Sequence, residues 1–175
     1  MINKIYLEEE VQEQIRETLE KEEAVQLREF LEPKVYQSLK KELEKKKYKK
    51  EYSPLERSYS TTNVEQNQLI SEIEQILVKK AKSAKVEKYR KGDYTLLSDE
   101  DQEEEIIAIL DFSENWPEEV GGEHIFLEEG KELIRIPPQT NTLSIITIKN
   151  KMRHFLNYIN HKANSNKLLF IKVKF

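Results

Sequence analysis

The amino-acid sequence predicts an α+β protein, with a jelly-roll-like core of short strands and helices from the first half packed on one sheet. Three observations predict it. Apolar residues recur at helical spacing through the first half of the chain. From about Lys85 the texture changes to short β-branched or alternating runs cut by turn residues. Those runs follow one another roughly every 8–12 residues, the rhythm of a sandwich or jelly roll. Residues 1–84 then form a mainly helical part and 85–175 the β core, together one globular domain.

Val11, Ile15 and Leu19 recur every four residues and predict a first helix. The apolar piece Ala24, Val25, Leu27, Phe30 and Leu31 fits a strand. Pro33 can open a second helix, which carries Val35, Leu39 and Leu43 on one face. That helix runs into residues 40–50, which contain seven lysines. With Tyr48 and Tyr52 beside it, the run reads either as a nucleic-acid or acidic-partner patch or as a solvated helix end complementing the helix dipole. Residues 51–63 are polar and non-periodic, so they are expected to be loop. Val64, Ile70, Ile73, Ile76 and Leu77 predict a third helix ending near Ala84.

Eight strands are expected after that, at 85–90, 94–97, 105–112, 123–127, 133–136, 143–148, 155–159 and 168–175. The punctuation between them falls at Gly92-Asp93, Trp116-Pro117, Gly121-Gly122, Gly130, Pro137-Pro138 and the Asn-rich stretch 160–166.

Composition excludes several functions. A net charge of −4 gives no general attraction to nucleic acid or an anionic membrane. The chain has no cysteine, which removes disulfides, thiol catalysis and cysteine-type zinc sites. No apolar run approaches the roughly 18 residues of a membrane span, and the first residues hold no apolar signal core. A cytoplasmic location is therefore expected. There is no phosphate-cradling glycine loop, Gly-x-Ser-x-Gly elbow or His-Glu-x-x-His motif.

A set of landmarks runs through the second half in a telling order. Tyr89-Arg90-Lys91-Gly92-Asp93-Tyr94 is a Tyr-x-x-Gly turn followed by an aromatic. The buried run Ile106–Leu110 follows, then Trp116, then Gly121-Gly122-Glu123 opening a strand. Pro138-Gln139-Thr140-Asn141 leads into Leu143, His154 precedes an alternating run, and Lys167 opens the last strand. This succession resembles the Fe(II)- and 2-oxoglutarate-dependent oxygenases, above all the prolyl-hydroxylase-like members that modify ribosomal or other proteins. It covers about half the chain. The resemblance implies a double-stranded β-helix, the cupin-like jelly roll. It also implies Fe(II) and 2-oxoglutarate as cofactors if the protein is active, and a protein or peptide as substrate or partner.

The chemistry implied needs two imidazoles and one carboxylate on one face of a metal. A His-x-Asp pair on a strand aims two of them the same way. The resemblance places the distal histidine at His154, with Lys167 and Tyr89 at the co-substrate. The His-x-Asp pair is not found. Counting from Gly92 puts Ser98 and Glu100 in its two positions, and a shift of one residue puts Asp99 and Asp101 there. Neither register supplies an imidazole. His124 and His161 are the other histidines, each either a replacement ligand or an ordinary hydrogen-bonded side chain. The run Asp99–Glu105, with six acids in seven residues, is either solvated or a site that binds hard cations or repels an anionic co-substrate from the pocket mouth.

Two functions follow. One is a degenerate member with no cofactor, a cytoplasmic binding module that uses the old groove for a protein partner. The other is an active but divergent dioxygenase that hydroxylates a protein side chain.

Overall fold

A computed structural model describes residues 1–96, 105–149 and 151–175. Helix α1 spans Glu9–Glu22, with Glu9 and Glu10 at its positive end and Lys21 at its negative end. It buries Ile15 and Leu19. Strand β1 is Ala24–Leu27. Helix α2, Pro33–Lys45, starts on its proline and buries Tyr36, Leu39 and Leu43.

The polar stretch expected to be loop is instead a hairpin, β2 (Lys49–Ser53) and β3 (Arg57–Asn63). Tyr, Ser and Thr fit a half-exposed strand, and such a strand lacks the apolar alternation that betrays a buried one. Helix α3 is shorter than expected, Asn67–Leu77, ending on a left-handed Val78.

The remaining strands are β4 (Ser83–Tyr89), β5 (Tyr94–Thr95), β6 (Glu105–Asp111), β7 (His124–Glu128), β8 (Lys131–Ile136), β9 (Leu143–Ile148), β10 (Met152–Leu156) and β11 (Leu168–Lys174). Strand β10 begins three residues before its expected start at Phe155, because a left-handed Lys151 turns the chain early.

Among the described residues the strands form two sheets. The large one runs β1-β9-β6-β11-β4-β3-β2, with β5 attached to β3, and the small one runs β10-β7-β8. All pairings are antiparallel. Neighbouring residues on each strand of the large sheet serve different cores, as the period of two requires. Val86, Ala108, Leu110, Leu169, Ile171 and Val173 pack with the helices. Tyr89, Ile107, Ile109, Ile146, Ile148 and Phe170 pack towards the small sheet, with Phe126, Met152 and Leu156. The sheets thus form an α+β double-stranded β-helix with its helices on one outer face, as the sequence predicts.

Candidate functional site between the two sheets

Each landmark of the second half has a structural task. Gly92 takes a φ of 84°, and the Asp93 carboxylate locks its turn. That carboxylate accepts from the Arg90 N–H at 2.9 Å, Ser58 Oγ at 2.7 Å and Lys50 Nζ at 2.6 Å. Gly121 has a φ of 85°, and a Cβ there would collide with the Tyr158 carbonyl oxygen. Trp116 Nε1 donates to the Gly121 carbonyl at 2.7 Å. Asn141, also left-handed, accepts from the Leu31 N–H at 3.0 Å and donates to the Leu31 carbonyl at 2.9 Å. It thereby ties the Pro-x-x-Asn turn to the segment before α2. Asp111 accepts from the backbone N–H groups of Ser113 at 2.6 Å and Gln139 at 2.9 Å. Burial pushes this carboxyl up to about 6, against the lowering effect of those hydrogen bonds.

Two of the three histidines meet between the sheets. In the β10–β7 register, His154 lies opposite Phe126 and Leu156 opposite His124. The two histidines are therefore diagonal neighbours on the inner face. His124 Nδ1 and His154 Nε2 are 2.9 Å apart, and the rings are stacked with centroids at 5.2 Å. Phe126 stacks on His154 at 4.5 Å, and the Phe170 ring meets His124 edge-on at 4.9 Å.

His124 is 5% exposed, and its Nε2 has no hydrogen-bond partner. Placing the shared proton on His124 Nδ1 leaves only a lone pair unpartnered, which costs less than an orphaned N–H. The cavity beside His124 measures about 10 Å³, on the order of one water.

Burial pulls His124 down to about 3, helped by the Lys172 ammonium. His154 is also held well below its ordinary value, first by burial and then by Lys172, His124 and Lys174. Burial is thus the first cause that keeps each ring neutral.

Tyr89 is 2% exposed and stacked between Tyr59 and Phe170. Its hydroxyl donates to Glu87 Oε2 at 3.1 Å, so the group assigned to the co-substrate is engaged by the chain's own carboxylate. Lys167 pairs with Glu44 of α2 at 3.4 Å, at a half-exposed position. His161 starts a short 3-10 turn on the surface. The candidate ligands Asp99 and Asp101, and the alternative register Ser98 and Glu100, lie outside the described residues. Among the described residues, no group of three or more His, Asp or Glu could hold a metal ion.

In either tautomer of the histidine pair, His154 Nε2 is a donor or an engaged acceptor, and among the described residues lysine charge, from Lys172 and Lys174, bears on it. Three features of the site were not identified from sequence. The His124–His154 pairing needs the β7–β10 register, which no local pattern supplies. Glu87 was detectable, because it sits two residues before Tyr89 on the same strand face. Lys172 was hidden by the expectation that Lys167 is the inward cation.

Comparison with known proteins places this architecture. A family model described as "Oxoglutarate and iron-dependent oxygenase degradation C-term" matches residues 1–67 and 60–174. No curated protein matches the chain. A prolyl-4-hydroxylase from Pseudomonas putida is similar with a TM-score of 0.74 at 14% identity, covering 94% of this chain and 97% of the other. A Trichoplax adhaerens prolyl hydroxylase, solved with a hypoxia inducible factor peptide fragment, has a TM-score of 0.77 at 10% identity, covering 95% and 89%. The viral collagen prolyl hydroxylase of Paramecium Bursaria Chlorella virus-1, in a 2OG complex, has a TM-score of 0.64 at 14% identity, covering 89% and 96%. At such identities these structures speak for the fold, and the family model spans nearly the whole chain. The protein therefore belongs to the oxoglutarate and iron-dependent oxygenase degradation C-terminal domain family, on a prolyl-hydroxylase-like fold.

Proposed function

We propose that this chain is a non-catalytic member of its family, a protein-binding module that keeps the oxygenase scaffold without its metal chemistry. The observation that carries this reading is the 2.9 Å hydrogen bond between His154 Nε2 and His124 Nδ1. It engages the one imidazole that the resemblance assigns to iron. Lys172 and Lys174 add positive charge beside that ring, which disfavours a divalent cation. Tyr89 and Lys167, assigned to the co-substrate, are bonded to Glu87 and Glu44. A protein partner is supported by the Trichoplax structure, in which the same fold is solved with a peptide.

The test is anaerobic Fe(II) titration together with a 2-oxoglutarate consumption assay. The expected result is no saturable Fe(II) binding tighter than about 1 mM and no turnover. Micromolar Fe(II) affinity that disappears in His154→Ala would overturn the proposal.

A further inference from the structure

The inner face of the large sheet carries a row of lysines beyond the histidine pair. Lys85 of β4 lies directly opposite Lys172 of β11, so their side chains stand on the same face at close range. Like charges in that arrangement repel. No carboxylate among the described residues pairs with either one; the ion pairs on this face are Lys174 with Glu105 and Lys49 with Glu51. Lys85 also lines a surface groove of about 330 Å³ with Lys47, Lys49, Thr61, Thr62 and Asn63. Glu51 is the acid at its wall. The groove runs along β2, the last strand in the order of the large sheet, and such an edge offers unpaired backbone groups to an extended segment. This concentration of cations sits on a chain whose net charge is −4.

We propose that this groove, lined by Lys47, Lys49 and Lys85, docks an acidic, extended peptide segment of a partner protein, with Lys172 beside Lys85 as a neighbouring cation. The proposal rests on the binding-module reading above and adds the partner's chemistry. Carboxylates of the peptide would sit between Lys85 and Lys172 and relieve their repulsion. The side-chain amide of Asn63, opposite Lys85 on the same face, would donate to the same groups. The overall negative charge opposes a nucleic acid backbone, which would engage the whole surface, whereas a short peptide meets one groove.

The test is fluorescence anisotropy with the full chain, a labelled Asp/Glu-rich decapeptide and an oligo-dT of equal length. Lys85→Gln with Lys172→Gln should weaken the peptide at least about tenfold at about 50 mM salt. The same double variant should keep or raise the melting temperature, since it removes a repulsive pair. Lys41→Gln with Lys45→Gln, exposed on α2, should leave binding unchanged. No peptide binding, or binding insensitive to Lys85 and Lys172, would overturn the proposal. So would tighter binding of the oligonucleotide. Metal-dependent 2-oxoglutarate consumption would instead defeat the non-catalytic reading, whatever the peptide does.

Discussion

Two sets of polar groups near the space between the sheets are satisfied differently. In the first, Asp111, Trp116, Gly121 and Asn141 form turns in which the described polar groups find partners. In the second, two histidines share one hydrogen bond, an imidazole nitrogen is left unpartnered, and Lys85 faces Lys172 with no carboxylate among the described residues paired to either. The first set gives these landmarks a structural task, since their own hydrogen bonds tie turns and segments of the fold together. The second set leaves its polar groups only partly satisfied by one another.

The largest effect should fall among the structural turns. Gly121→Ala drives a Cβ into the Tyr158 carbonyl at a φ of 85°. A loss of about 4 kcal/mol or more is expected in urea unfolding. A loss near 1 kcal/mol would mean that the turn is soft and the contrast overstated.

Acid should separate the two sets next. Burial pulls His124 down to about 3 from its ordinary 6.5, so its stabilising neutrality is complete above pH 6.5 and is lost as pH falls towards 3. The expected cost is about 1.4 kcal/mol per pH unit once the pH is below 6.5. Asp111 acts with the opposite sign. Raised to about 6 from 3.8, it favours the native state below pH 3.8 and loses that contribution as pH rises through 6. His124→Leu should remove only its own share of the first dependence and leave that of His154, and Asp111→Asn should remove the second. Chemical unfolding from pH 4 to 8 reads both.

Asn141→Ala removes two hydrogen bonds to Leu31 and leaves alanine at a φ of 51°. It should cost about 2–3 kcal/mol. Replacing one histidine by leucine strands the other's nitrogen, at about 1–2 kcal/mol, whereas the double replacement should cost less than the sum of the singles. An additive result would show the two rings to be independent. Lys167→Ala should be the mildest, since a half-exposed pair with Glu44 contributes about 0–1 kcal/mol.

The fold was legible where apolar pattern dictates it. Strand β9, Leu143–Ile148, was read with its observed limits, because its burial and turn punctuation coincide. Strands β2 and β3 were missed, because their burial depends on tyrosines and threonines packed at a sheet edge. The landmarks were legible for the same reason that they are structural: a left-handed turn or a side-chain tie demands a particular residue at one position. His154 was legible as an inward histidine, but its partner was not. The contact with His124 arises from pairing two strands 30 positions apart, information that no local window contains.

The most direct measurement of the central claim is an imidazole ¹H–¹⁵N spectrum of the protein at neutral pH, titrated with Mn(II) in the presence of 2-oxoglutarate. The account predicts two neutral, hydrogen-bonded rings for His124 and His154, with signals that stay sharp as Mn(II) is added. Selective broadening of His154 at stoichiometric Mn(II) would place a metal at that ring and contradict it.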